Sequence, residues 1–305
     1  MPYLKSTTGK EELNIYYEDL GSGDPIVFIH GWPLSHQMFE YQMTPLREIG
    51  FRCIAYDRRG FGKSDQSLNS YGYDVLADDL KNLLEELDLN NVTLVGFSMG
   101  GGEIVRYCSK YNSERISRIV LVSSVVPYML KTEDNTDGTP LEVFQDFEKQ
   151  IRDDRPGFLE NFGKQFYGVG FLSKPVSNAI LDWTSSLAFA ASQKAMIDCM
   201  VSFSQTDFRK ELSSITVPAL IIHGDSDKIV AIKPAGEAAA ALLKGSTYKV
   251  YAGAPHAVFY TNKNELNTDI VSFITSGKVE TEEVFEGGAS ILPSNEPLVT
   301  REEGI

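Results

Sequence analysis

The sequence predicts an α/β protein, a mostly parallel sheet flanked by helices with a helical insertion near the middle of the chain. Three observations carry that expectation. Short β-branched runs alternate with longer segments of helical period. The alternation stops between residues 127 and 214, a stretch of helical segments, aromatics and Gly or Pro breaks with no comparable strand. Finally, the run Gly96-Phe97-Ser98-Met99-Gly100 sets one hydroxyl between glycines where a strand gives way to a helix.

In chain order the strands are PIVFIH (25 to 30), FRCIAY (51 to 56), NVTLVGF (91 to 97), ISRIVLVS (116 to 123), ALIIHG (219 to 224) and TYKVYAG (247 to 253). Between them, residues 74 to 87 (DVLADDLKNLLEEL) space their leucines like an amphipathic helix, and residues 101 to 111 form another after the serine. The expected organisation is a core of residues 1–126 and 215–277, a helical cap over 127–214, and a separate tail, 278–305. That tail carries seven Glu against one Lys and one Arg, with Gly and Pro and no clear period, and reads as an acidic, disordered extension.

Composition excludes whole classes of partner. A chain of 305 residues that is 42% hydrophobic and 23% charged can bury one substantial core. Its formal net charge of -14 repels nucleic acid and anionic membrane surfaces. No stretch approaches the ~20 apolar residues of a membrane span, and the N-terminus shows no apolar leader, so a soluble cytoplasmic protein is expected. Cys53, Cys108 and Cys199 are scattered in apolar surroundings and read as reduced, buried side chains rather than disulfide partners or metal ligands. No convincing set of metal ligands is present.

Ser98 follows a strand and precedes a helix, so a sharp turn lifts its hydroxyl out of the sheet. A free serine is a poor nucleophile and needs an imidazole to take its proton and an acid to hold that imidazole's tautomer. His256 in GAPHAVF is the histidine that follows both the serine and a strand-end acid. The acid lies in HGDSDKIV, where Asp225 and Asp227 are both close to a strand end, one a triad member and the other a turn-former. An oxyanion formed at a carbonyl needs preorganised donors. The backbone N–H of Met99 is one, and the amide of Trp32, in His30-Gly31-Trp32-Pro33, is the other. Pro33 has no N–H and restricts the backbone of Trp32 before it.

HGWP, DRRGFGKS (57 to 64), GFSMGGG, HGDSD and GAPH occur in that order. Over residues 1 to about 277 the chain thereby resembles the α/β-hydrolase fold, and more narrowly the cofactor-free bacterial haloperoxidase, perhydrolase and aryl-esterase group. The resemblance implies Ser98 as nucleophile, Asp227 as acid, His256 as base, the Trp32 and Met99 amides as oxyanion hole, a helical cap, no cofactor and frequent homo-oligomers. It implies a serine esterase whose acyl-serine is attacked either by water or by hydrogen peroxide, the latter giving a peracid that oxidises halide. In similar proteins a proline at the position of Pro33 goes with peracid formation. Two other readings remain open: an amidase or γ-lactamase acting on small cyclic amides, and a non-catalytic binding protein that keeps the pocket.

Trp32, Pro33, Phe97, Tyr128, Phe166, Trp183, Phe189 and Val258 are the candidate pocket residues, and the bulk of Trp32 and Met99 beside the nucleophile predicts a small acyl pocket. GFGKS is not read as a phosphate loop, because Asp57 stands where a glycine is required. Arg58 or Arg59 is expected to pair with carboxylates. His30 and His223 read as structural, and His36 as part of the next helix. The pairs Asp78-Asp79 and Glu85-Glu86 read as a solvated helix face.

Overall fold

The computed structural model describes residues 2–8 and 11–279. The acidic extension expected at 278–305 therefore lies, from residue 280 onward, outside the described residues.

Apolar runs become the centre of the sheet. β3 (Pro25–Ile29), β4 (Arg52–Tyr56), β5 (Val92–Phe97), β6 (Ile116–Val122) and β7 (Ala219–Gly224) are parallel neighbours, and β5 and β7 are buried at every position. Strands covered by helices on both faces need continuous apolar sequence, as these have. β8 (Thr247–Tyr251) closes one edge, and its mostly half-buried side chains fit that position.

Sequence periodicity missed the other edge. β1 (Tyr3–Thr8) and β2 (Glu11–Leu20) form an antiparallel pair, and β2 also pairs antiparallel with β4. Leu13 and Ile15 point inward while the intervening residues face solvent. The alternation was present in the sequence, but a charged outer face at positions such as Glu12 disguised it.

The strand order is β1-β2-β4-β3-β5-β6-β7-β8. β3 lies between β4 and β5, so the chain winds from β3 to one side and then crosses to the other. The carboxyl ends of β3 and β5 flank that reversal, which is where open α/β sheets place a ligand crevice. Ser98 and the Trp32 loop both sit there.

Helices complete the layers. A short 3-10 turn at His36–Phe39 leads into α1 (Glu40–Glu48), followed by α2 (Tyr73–Glu86) and α3 (Met99–Lys110). Between β6 and β7 lie α4 (Leu141–Phe166), α5 (Asn178–Phe189), α6 (Gln193–Gln205) and the short α7 (Arg209–Leu212). α8 (Ala238–Leu242), α9 (Val258–Thr261) and α10 (Lys263–Ser276) close the chain. α4 kinks at Asp154, whose carboxylate accepts the Gly157 N–H at 3.0 Å just past Pro156. Among the described residues no helix is long and apolar enough to cross a membrane.

Buried charge is paired. Glu103 on α3 accepts from Arg58 Nε at 2.9 Å and from the Tyr56 hydroxyl, and both Arg58 and Glu103 are fully enclosed. Arg59 makes a two-pronged contact with Asp79 on α2, 2.6 Å from Nε and 2.7 Å from Nη2. Asp79 is therefore not part of a solvated face as its sequence position suggested. It is 2% exposed, and its partner approaches from the loop after β4. Asp78 next to it is half-buried against Lys110, whereas Glu85 and Glu86 do face solvent. The loop 57–64 closes around a carboxylate rather than a phosphate: Asp57 accepts from the backbone and ring of His36 at 2.8 and 2.7 Å and from Lys63 N–H at 2.8 Å. Cys53, Cys108 and Cys199 are unpaired and buried.

His30, at the end of β3, is also enclosed. Arg58 N–H donates to its Nε2 at 2.9 Å, so the one ring proton resides on Nδ1, which donates to Gly31 O at 2.9 Å. Burial, reinforced by the Arg58 cation, brings its pKa down to about 3.

Two stability predictions follow from these buried groups. Asp79→Asn removes the two-pronged carboxylate contact of the enclosed Arg59, leaving Glu11 at 3.6 Å, and should lower unfolding free energy by about 3 kcal/mol in urea titrations. His30 stays neutral in the folded chain down to about pH 3, whereas an exposed histidine takes up its proton near pH 6.5. Between those values the unfolded chain binds one more proton, so stability is lost as pH falls, at up to about 1.4 kcal/mol per pH unit from this residue. His30→Gln should show a correspondingly shallower loss of stability between about pH 6.5 and 4.5 than the wild type.

Candidate active site

The chain reverses sharply after β5. Ser98 adopts φ 53 and ψ -116, a conformation rare for a residue with a Cβ. Its N–H donates to Val122 O at 2.9 Å, and its carbonyl accepts from Gly101 N–H at 3.1 Å and Val125 N–H at 3.2 Å, so neighbouring β6 and α3 lock the turn. The glycine at 100 is dictated by crowding. A Cβ there would sit 2.3 Å from the Ile29 carbonyl oxygen, which would force α3 off the sheet.

The turn brings Ser98 to His256. His256 Nε2 lies 3.0 Å from Ser98 Oγ, and its Nδ1 lies 2.6 Å from Asp227 Oδ2. The three side chains come from the β5–α3 turn, the loop after β7 and the loop after β8. His256 is 1% exposed, its ring packed against Phe97 and Phe166 at centroid distances of 4.9 and 5.0 Å. Asp227 Oδ1 accepts the Ile229 and Val230 N–H groups, both at 2.8 Å, and Oδ2 also faces His223 Nε2 at 3.3 Å. Burial pushes the Asp227 carboxyl up, but the charge and hydrogen bonds of His256 and His223 outweigh it and hold the group well below the usual carboxylate range. Asp227 is thus an anion that fixes the proton of His256 on Nδ1 and leaves Nε2 to face the hydroxyl. Asp225, the other acid in the motif, instead accepts Gly253 N–H at 2.7 Å and forms the turn.

Two backbone donors lie on segments next to Ser98. Met99 is the first residue of α3, where helical N–H groups have no internal partner. Trp32 follows β3, and among the described residues neither its N–H nor that of Met99 donates to a protein acceptor. The Trp32–Pro33 peptide is cis. The Trp32 indole N–H donates to Met196 O on α6 at 2.9 Å, and its ring meets Phe158, Phe162 and Phe203 edge-on.

Ser98 opens into a cavity of about 30 Å³ lined by Trp32, Val125, Met129, Phe144, Phe147, Phe162, Phe203, Ile229 and Val230. Of the expected pocket residues, Trp32 alone is among them. Pro33 and Phe166 line an adjoining apolar recess with Leu159, Phe162 and Ala188. Phe97 packs behind His256, against Phe259, and Val258 is buried in α9. Trp183 packs edge-on to Tyr41, Tyr128 lies under Arg209, and Phe189 is 42% exposed beside Arg155. Closeness in sequence to the site loops, or a place in the cap, did not put these five in the wall of the cavity at Ser98. Phe144, Phe147 and Phe162 follow the apolar period of α4, and that period was the legible signal. Among the described residues no group of three or more His, Cys, Asp or Glu side chains could hold a metal ion.

Known proteins share this arrangement. The family model for the alpha/beta hydrolase fold matches residues 24–263. A non-heme chloroperoxidase of Burkholderia pyrrocinia is 40% identical over 279 residues, covering 90% of this chain and 99% of that one. A bifunctional esterase/perhydrolase of Acinetobacter calcoaceticus is 38% identical, covering 88% of this chain and 99% of its own. The crystal structure of a bromoperoxidase from Bacillus anthracis superposes with a TM-score of 0.86 at 42% identity, covering 90% of this chain and all of that one. With its reversed strand order, its serine turn and these relatives, the chain belongs to the α/β-hydrolase family, in the group of cofactor-free haloperoxidases and esterases.

Proposed function

We propose that this protein hydrolyses small carboxylic esters through an acyl-enzyme on Ser98 and also passes the acyl group to hydrogen peroxide. The observation that carries the reading is the chain of contacts from Ser98 Oγ through His256 to Asp227, opening into an apolar cavity. Ser98 Oγ attacks the ester carbonyl carbon while His256 Nε2 takes the hydroxyl proton. The resulting oxyanion is met by the Trp32 and Met99 N–H groups. The ester C–O bond then breaks, and His256 returns the proton to the leaving alcohol. Water or peroxide attacks the acyl-serine, again giving its proton to His256, and the departing Ser98 oxygen recovers it. The products are a carboxylic acid or a peracid, and the peracid accepts the electrons of halide in solution.

The substrate partners are therefore a small ester or carboxylic acid and peroxide, and none of the steps calls for a cofactor. Residues 127–214 act as the lid that supplies most of the pocket wall, and the protein works as a homo-oligomer. Pro33 biases the acceptor towards peroxide: it limits how the Trp32 carbonyl can turn, and in this reading that carbonyl accepts a hydrogen bond from the incoming peroxide.

Ser98→Ala should reduce p-nitrophenyl acetate hydrolysis by at least about 10⁴-fold, and Asp227→Asn by about 10²- to 10⁴-fold, both read as kcat. Retained activity in Ser98→Ala would remove the acyl-enzyme. The cavity at Ser98 is narrow and walled by Trp32, Phe144, Phe147, Phe162 and Phe203, so kcat/KM for p-nitrophenyl acetate should exceed that for the octanoate ester by about 10-fold or more. Pro33→Leu should lower the ratio of peracid formation to hydrolysis, measured with a halide-oxidation dye against released acid. An unchanged ratio would assign the choice of acceptor to other residues.

A further inference from the structure

Resting on the acyl-enzyme reading, the geometry points to Arg58 and His30 as positioning residues that set the angle of the Trp32 N–H towards the oxyanion. The argument begins with one peptide plane. The Trp32 N–H and the Gly31 carbonyl belong to the same trans peptide, so they point in opposite directions and turn together. Whatever holds the Gly31 oxygen therefore aims the Trp32 hydrogen.

That oxygen is held twice. It accepts from His30 Nδ1 at 2.9 Å and from Leu34 N–H at 3.0 Å. The His30 ring can donate there because its other nitrogen accepts the Arg58 N–H at 2.9 Å, which fixes the tautomer. Arg58 then anchors the same segment with its side chain, donating from Nη2 to His30 O at 2.8 Å.

The same guanidinium also reaches the helix that carries the other donor. Arg58 Nε donates to Glu103 at 2.9 Å, and Glu103 lies one turn along α3 from Met99. One planar cation thus spans the end of β3 and the first turns of α3, the two segments that carry the Trp32 and Met99 N–H groups. The fork of Arg makes both contacts at fixed relative angles, which a single ammonium cannot do. Close approach adds to the constraint: a Cβ on Gly31 would sit 3.2 Å from Ser98 Cβ, so small rotations of this peptide are felt at the nucleophile.

The test compares p-nitrophenyl acetate kinetics of wild type, Arg58→Lys, His30→Phe and Asp79→Asn, together with inhibition by methylboronic acid, a tetrahedral mimic that adds to Ser98. Arg58→Lys and His30→Phe should each lower kcat by about 10- to 100-fold with KM changed by less than about threefold, because only the transition state uses the misdirected donor. The methylboronic acid inhibition constant should rise by a similar factor. His30→Gln, whose amide can both donate to Gly31 and accept from Arg58, should recover most of that loss. Asp79→Asn breaks the other buried pair and should be destabilised with kcat within about twofold of wild type. Should Arg58→Lys not fold, Tyr56→Phe removes only one donor to Glu103 and should show the same kcat-only loss at about threefold. Values of kcat and boronate inhibition in Arg58→Lys and His30→Phe equal to those of Asp79→Asn would overturn the positioning role and leave the acyl-enzyme standing. Activity surviving Ser98→Ala would overturn both.

Discussion

The rest of the molecule is arranged around the reversal at Ser98. A serine at φ 53 is held against its own backbone preference, at a cost of order 1–3 kcal/mol, and persists only where its surroundings over-determine it. Here they do, through Val122, Gly101 and Val125. The same turn demands the missing side chain at position 100, presses α3 against β3, and starts that helix at the nucleophile. The parallel sheet is the rigid base that makes such a turn tolerable, since β5 is buried along its whole length. His256 and Asp227 are then delivered by loops at the same ends of neighbouring strands.

Much of this was legible in the sequence, for physical reasons that differ by region. Central parallel strands must be apolar on both faces, so PIVFI and ALIIHG announced themselves as runs. The serine turn was equally legible because only small residues survive at Gly96 and Gly100. β1 and β2 were not read, since an edge hairpin needs only every second residue to be apolar and surrounds those residues with charge. Asp79 was misread because burial of a carboxylate depends on a partner, and Arg59 lies 20 residues away in sequence. The pocket was least legible. Its wall is shared by helices packing over the sheet, with Phe144, Phe147, Phe162 and Phe203, and by loops that carry Trp32, Val125, Met129, Ile229 and Val230, and which face of α4 points at Ser98 is decided by tertiary packing around the Asp154 kink, not by nearness to a motif.

Several enclosed carboxylates hold separate parts of the chain together. Asp57 ties the His36 turn to the loop at Lys63, Asp227 ties its own loop to His256 and His223, and Glu103 ties α3 to Tyr56 and Arg58. The cost of burial is offset by these contacts, and the return is geometric, because each carboxylate sets the relative position of loops that the sheet alone leaves free.

The three cysteines gain significance from the chemistry beside them. Burial pushes the thiols of Cys53, Cys108 and Cys199 each up to about 12. Oxidants attack the thiolate, so at neutral pH these side chains, at most 3% exposed, present almost none of the vulnerable form. Under the proposed chemistry, which admits peroxide to one compartment and releases peracid from it, the protein's own sulfhydryls stay in a chemically silent state.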